Sequence, residues 1–202
     1  MIAIVDYGAG NLRSVKKALD FIGAPSEITD DPRKIETAAG VVLPGVGAFG
    51  DAMDSMRKRG LDEIVRRAAD GTRPFLGICL GQQLLFAASE ESPGARGLGV
   101  LEGSVRLIPK EAILKVPHMG WNSISLKMHD GLFAGVPDEA YVYFVHSYYV
   151  TAADPAQKAA QTTYGVTIDA AVRRGLMTAT QFHPEKSGEV GLMMLRNFVR
   201  EL

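Results

Sequence analysis

Three side chains in this sequence have the types and spacing for covalent chemistry: Cys79, His183 and Glu185. Cys79, the single cysteine, sits in Gly77-Ile78-Cys79-Leu80-Gly81, between an apolar run from Pro74 to Ile78 and an apolar helical stretch opening at Gln82 to Phe86. A Gly-x-nucleophile-x-Gly segment between strand and helix is a nucleophile elbow. Its glycines let strand and helix pack closely around a sharp turn. The central side chain is pushed out at a helix N-terminus, where partial positive charge favours thiolate over thiol. A lone cysteine is more often a small buried hydrophobe, but that reading leaves the flanking glycines unexplained. About a hundred residues later, Thr178 to Gln181 reads as a strand running into Phe182-His183-Pro184-Glu185. Pro184 restricts His183 to extended backbone, and i, i+2 spacing on extended chain puts His183 and Glu185 on one side. A carboxylate beside an imidazole fixes its tautomer and raises its basicity, which is the base and orienter a thiol nucleophile needs. Taken alone, the three-letter segment is equally a surface histidine beside a solvated glutamate.

These groups need a scaffold, and the first 90 residues alternate strand and helix patterns. Ile2 to Asp6 is a buried strand. Leu12, Val15, Leu19 and Ile22 recur at helical spacing, with Asn11 as N-cap and Gly23-Ala24-Pro25 as breaker. Ser26 to Thr29 is a weak strand, Asp30 to Glu36 a polar connection, and Val41 to Leu43 a third strand that Pro44 ends. Asp51 to Arg59 and Leu61 to Ala69 are helices broken near Gly60. This alternation implies a parallel, doubly wound sheet. After Glu90 come short alternating runs: Ser104 to Pro109, His118 to Lys127, Ala140 to Val150, Ala159 to Ile168, Ala170 to Arg174 and Leu176 to Phe182. They read as antiparallel or mixed strands, with a hairpin arm at Thr167 to Arg173. Ser187 to Leu202 returns to helical spacing, with Ser187 as N-cap.

Composition bounds the function. The 202 residues, 47% of them hydrophobic, suit one globular domain over residues 1–202. A net charge of −1 shows no basic field for nucleic acid or an anionic membrane. One cysteine forms no internal disulfide and suits a reducing compartment. No Cys/His spacing matches a metal site, so no metal is expected. The N-terminal run has no basic leader and is shorter than the about 18 apolar residues of a membrane span, so a cytoplasmic location is the default. Gly45-Val46-Gly47-Ala48-Phe49-Gly50 matches a dinucleotide-binding fingerprint. However, Pro44 is awkward in that turn, and the next strand ends in Cys79 rather than an acidic residue. The loop reads better as backbone whose N–H groups face the nucleophile; an ordinary glycine-rich turn is the plain alternative.

GICLGQQLLF together with QFHPE resembles the class I (triad) glutamine amidotransferases, whose nucleophile, base and orienter follow the order Cys, His, Glu. Three further segments resemble the glutaminase subunits of imidazole glycerol phosphate synthase: Asp6 to Leu12 (DYGAGNL), Pro44 to Phe49 (PGVGAF) and Val116 to Asn122 (VPHMGWN). The likeness spans essentially the whole chain. Gln82 departs from a position where this family often has Met. The resemblance implies an α/β fold of the class I glutamine amidotransferase (flavodoxin-like) kind: three layers, a central mostly parallel sheet and an added antiparallel hairpin layer. It implies a Cys79 glutamyl thioester, with His183 moving protons and Glu185 holding the imidazole. Backbone donors for the oxyanion are implied at Leu80 and, from the Pro44–Gly47 loop, at Val46. Gly47, Gln83, Ser147 and Tyr148 are implied around glutamine, although Tyr148 and Tyr149 could equally be packing aromatics. No cofactor is implied. The ammonia acceptor would sit on another chain, a (β/α)8-barrel cyclase paired with this one as a heterodimer. Contacts to it are implied at Asn11, Met119, Trp121, Tyr143 and Lys186; Met119 and Trp121 sit in a loop, where an exposed apolar pair would suggest an interface, with Trp121 as a core residue the plain alternative. Rival readings are the same chemistry for another client, such as pyridoxal phosphate synthase, a free-standing cysteine hydrolase, and a non-catalytic ligand or dinucleotide binder.

Overall fold

The structure, a computed structural model, describes residues 1–110 and 114–202. Its strands are β1 (Ile2–Val5), β2 (Ser26–Thr29), β3 (Gly40–Gly45), β4 (Phe75–Cys79), β5 (Gly103–Leu107), β6 (His118–Leu126), β7 (Ala140–His146), β8 (Tyr148–Ala152), β9 (Lys158–Tyr164), β10 (Val166–Arg174) and β11 (Met177–Thr180). Its helices are α1 (Leu12–Phe21), α2 (Pro32–Thr37), α3 (Phe49–Lys58), α4 (Asp62–Ala68), α5 (Leu80–Gln83) and α6 (Gly188–Arg200). The main sheet has nine strands in the order β2-β1-β3-β4-β11-β10-β9-β6-β7; β5 and β8 form a separate antiparallel pair. From β2 to β11 the pairing is parallel, and beyond β11 it is antiparallel.

Period-two alternation builds two apolar layers from these buried strands. Ala3, Val5, Val41, Leu43 and Phe75 point to one face, where Ile35 of α2, Met53 and Met56 of α3 and Val65 of α4 cover them. Ile2, Ile4, Val42, Leu76 and Ile78 point to the other, under Val15 and Leu19 of α1 and Met194, Leu195 and Phe198 of α6. The result is the expected three-layer α/β arrangement.

Several boundaries differ from the sequence reading. β3 runs through Pro44 to Gly45, pairing Pro44 with Ile78 and Gly45 with Cys79. Its pairing with β1 stops at Val42, so the proline falls where one edge of β3 is already free. The polar Asp30 to Glu36 stretch contains α2, started by Asp31, whose side chain accepts from Arg33 N at 2.9 Å, and by Pro32 in the first turn. The run from Ala140 to Val150 splits at Ser147 into β7 and β8, which belong to different sheets. The run from Ala159 to Ile168 is two strands hinged at Gly165 (φ +71°), so the hairpin is β9–β10 and not an arm of its own. Asn11 and Ser187 hold N-cap positions, but neither side chain caps its helix.

Candidate active site

The carboxyl ends of β3, β4 and β11 lie side by side, and ligands of open α/β sheets bind at strand carboxyl ends. Cys79 ends β4 with φ +56° and ψ −108°, a backbone conformation that costs a non-glycine residue about 1–3 kcal/mol. Both flanking glycines are required by close approach. A Cβ on Gly81 would overlap the Leu43 carbonyl oxygen, and one on Gly77 would lie 2.9 Å from Ala179 Cβ. This is the strained strand-to-helix turn that the spacing predicts. The helix behind it is shorter than expected: α5 is a single turn, Leu80–Gln83. What it offers at the cysteine is therefore free backbone N–H groups, Leu80's first, more than a long dipole.

His183 follows β11, with its backbone N–H donating to Tyr143 O at 3.0 Å. Its Nδ1 meets Glu185 Oε1 at 2.8 Å, and both side chains are almost fully buried. The geometry differs from extended chain: Pro184–Lys186 is a 3-10 turn, and that turn folds the carboxylate back onto the ring. Ser187 closes the turn, donating from Oγ to His183 O at 2.6 Å and accepting from Tyr143 N at 3.0 Å, which is why it is not free to cap α6. Burial pulls the imidazole pKa down, but the proximity and negative charge of Cys79, with the hydrogen bond and charge of Glu185, outweigh it and carry His183 up to about 9. Nε2 is buried and has no hydrogen bond of ordinary geometry, even to the sulfur whose proximity raises it. Cys79 Sγ instead faces Val145 O at 3.8 Å and receives Gln181 Nε2 at 3.6 Å. Catalytic hydrogen bonds of this kind commonly tighten only once substrate is seated.

One cavity of about 310 Å³ is lined by Val46, Gly47, Cys79, Leu80, Gln83, Ser147, Tyr148 and His183, so the predicted nucleophile, base, oxyanion and glutamine residues meet there. That volume sits at the small end for ligand sites. Gly47 has φ +100° and open space where a side chain would be. Glu91, Pro117, Val145 and His146 complete the wall and were not found from sequence. Glu91 Oε2 accepts from Phe49 N at 2.8 Å and Ser92 Oγ accepts from Gly50 N at 3.0 Å. These two side chains occupy the N-terminus of α3 where a pyrophosphate would bind. With Gly45 needed to clear the Tyr7 hydroxyl, 2.6 Å from where its Cβ would be, the dinucleotide fingerprint is spent on packing. Only the DYGAGN motif hinted at Tyr7, whose phenol lies buried beneath that loop; burial, with the Cys79 charge adding, keeps it protonated.

The five predicted partner residues divide. Trp121 and Tyr143 are cross-strand neighbours whose rings meet edge to face at 6.1 Å, and Lys186 Nζ stands 5.7 Å from the Tyr143 ring. Met119 (64% exposed) and Trp121 (55%) point to one face of β6, so they lie on a strand and not in a loop, and Trp121 is not core. Tyr141 is exposed on the same face, as alternation along β7 could have told. Asn11 stands at the start of α1, beside Gly10, whose Cβ would lie 3.5 Å from Pro44 O. Among the described residues no cluster of His, Cys, Asp or Glu could hold a metal ion, and no helix is long and apolar enough to cross a membrane.

A strained elbow cysteine beside a His–Glu pair at the carboxyl ends of a 2-1-3-4 sheet is the arrangement that the resemblance to class I glutamine amidotransferases implies. The sequence matches the family "Glutamine amidotransferase class-I" over residues 3–202. It is 49% identical to the imidazole glycerol phosphate synthase subunit HisH of Moorella thermoacetica, covering 98% of this chain and 93% of that one. It is likewise 49% identical to the subunit of that name from Syntrophotalea carbinolica, covering 98% of each. The chain belongs to the class I glutamine amidotransferase family, in its HisH branch. A crystal structure titled as a glutamine amidotransferase shares the fold, with a TM-score of 0.75 at 21% identity over 99% of this chain and 98% of that one.

Proposed function

We propose that this chain is the glutaminase subunit of an imidazole glycerol phosphate synthase in histidine biosynthesis, hydrolysing glutamine to glutamate and ammonia. The observation that carries the reading is the convergence of Cys79 and His183 on one cavity, with Glu185 held 2.8 Å behind the imidazole. The Cys79 thiolate attacks the glutamine carboxamide carbon. His183 holds the thiol proton and passes it to the departing nitrogen, so ammonia leaves and a glutamyl thioester remains. His183 then takes a proton from water, which attacks the thioester; glutamate departs and the thiol is restored. Backbone N–H groups of Leu80 and Val46 meet the oxyanion, each such donor being worth on the order of 3 kcal/mol in the barrier. Gln83, Gly47, Ser147 and Tyr148 seat the amino-acid end. Glu91, the carboxylate of the cavity wall, complements its ammonium group.

Ammonia is useful only if a second chain consumes it. The proposed partner is a cyclase of (β/α)8-barrel form, bound one to one in the cytoplasm. The proposed docking face is Met119, Trp121, Tyr143 and Lys186, with Asn11 nearby. Support comes from position: Val145 points to the same face as Met119 and also lines the cavity, so this surface reaches the reaction site. The test is Cys79→Ser in the complex. Glutamine-dependent synthesis should vanish while ammonia-dependent synthesis persists; continued glutamine use would remove Cys79 from the mechanism.

A further inference from the structure

Two buried histidines outside the triad form a hydrogen-bonded file that ends at the glutamine pocket. His118 opens β6 and stands directly across from His146, which closes β7. His118 Nδ1 lies 3.0 Å from His146 Nε2, and His146 Nδ1 lies 2.8 Å from Tyr148 O. A carbonyl oxygen only accepts, so His146 Nδ1 must carry the proton and its Nε2 must be the acceptor. His118 Nδ1 is then the donor to that acceptor, and His118 Nε2 is left to face Asn122 Nδ2 at 3.5 Å. Asn122 is itself anchored by donating to Thr163 O at 3.1 Å. The direction of every proton follows from one carbonyl.

The file meets the site at a second junction. Gln83 Nε2 also donates to Tyr148 O, at 2.9 Å, and to Gln181 Oε1 at 2.9 Å, while Gln181 Nε2 reaches Cys79 Sγ. Two independent donors thus converge on the peptide oxygen of Tyr148, a residue of the cavity wall. The His118 ring is clamped between Tyr164 and Phe144, with centroids 3.9 and 4.8 Å away and planes within 22°. Burial pulls both imidazoles far below the usual range, His118 to about 4 and His146 to about 3, and His118 and His183 push His146 further the same way. Both rings therefore stay neutral, as two rings sharing one proton between facing nitrogens require.

The structure assigns His118 as a positioning residue for glutamine binding: through His146 it fixes the Tyr148 peptide that forms the wall of the substrate pocket. It touches neither the proposed substrate nor Cys79, and its effect passes only along the file. The assignment rests on the glutaminase reading for its kinetic consequence, but not for its geometry. A histidine in water favours the Nε2–H tautomer, whereas this file demands Nδ1–H on both rings.

Nitrogen-15 spectra of the imidazoles in the wild-type protein at pH 7 should therefore show His118 and His146 neutral and protonated at Nδ1. An Nε2–H tautomer or a charged ring at either position would overturn the assignment whatever the enzyme's substrate. In the assembled complex, His118→Phe keeps the aromatic stack and loses the donor, while His118→Asn keeps an N–H near the Nδ1 position. The Phe variant should raise the glutamine KM about tenfold, the worth of one buried hydrogen bond, with kcat and ammonia-dependent synthesis little changed. The Asn variant should recover most of that loss. A wild-type KM in the Phe variant, or an Asn variant equally impaired, would leave His118 as mere packing. A wild-type complex that ignores glutamine would sink the glutaminase reading alone, with the spectra still deciding the file.

Discussion

In the proposed cycle Glu185 never meets the substrate, so whatever it contributes passes through the imidazole it touches. Its bond and charge are two of the contributions that lift His183 to about 9 against the pull of burial. Glu185→Gln keeps the shape and removes the charge, so the folded-state pKa of His183 falls. Turnover with glutamine should drop by about 10²-fold or more, the usual scale for losing an oriented proton carrier. Stability carries an independent signature. A histidine raised above its ordinary 6.5 contributes stabilisation that is fully present below that pH and is lost as pH rises through about 9. The wild-type protein should therefore exceed Glu185→Gln in stability most at pH 6, with the gap shrinking towards pH 10. Denaturation midpoints of the two proteins at these pH values measure it, and a gap independent of pH would mean that Glu185 does not hold the charged imidazole.

The elbow is an arrangement of elements more than of side chains: β4 and the one-turn α5 close on β3 and β11 so tightly that two positions have no room for a Cβ. Gly81→Ala would drive a methyl into the Leu43 carbonyl oxygen, a backbone atom that cannot swing aside. It should cost roughly 3 kcal/mol of stability, the upper range for overpacking. Gly77→Ala meets the Ala179 methyl at 2.9 Å and should cost less. Urea midpoints of the two variants test the order, and a Gly81→Ala protein as stable as wild type would refute the close-approach account. These elements were legible because glycines flanking a cysteine mean little except close packing around a turn, and because the parallel strands are continuous apolar runs. Cys79, His183 and Glu185 were legible as candidates for the same reason, their backbones being constrained by Gly and Pro. The antiparallel half was less so. Ser147 divides β7 from β8 without any Gly or Pro to mark the break, and Gly165 looks no different from glycines that do not turn the chain. Glu91 and Gln181 were illegible, since both are placed by pairings between segments far apart in sequence. The His118–His146 file depends on the β6–β7 register, which no local pattern announces.

At the scale of the molecule, charge gives no guidance towards a partner: with a net charge of −1, recognition must come from a local surface. The aromatic face of β6 and β7 is such a surface, because Met119, Trp121 and Tyr141 keep more than half of their area in solvent. Hot spots of protein interfaces are enriched in Trp and Tyr, and truncating one costs about 2 kcal/mol or more. Trp121→Ala should therefore weaken binding of the cyclase at least about 30-fold, measured as Kd by calorimetry. Its thermal midpoint should stay close to wild type, because a side chain 55% exposed contributes little to the core. At saturating cyclase the variant should regain glutamine-dependent synthesis, since Cys79, His183 and Glu185 lie within the cavity or directly behind it and Trp121 does not line it. The three readouts separate a docking role from the alternatives. A large fall in thermal midpoint would make Trp121 a packing residue, activity lost even at saturation would put it in the chemistry, and an unchanged Kd would move the cyclase to another face of the molecule.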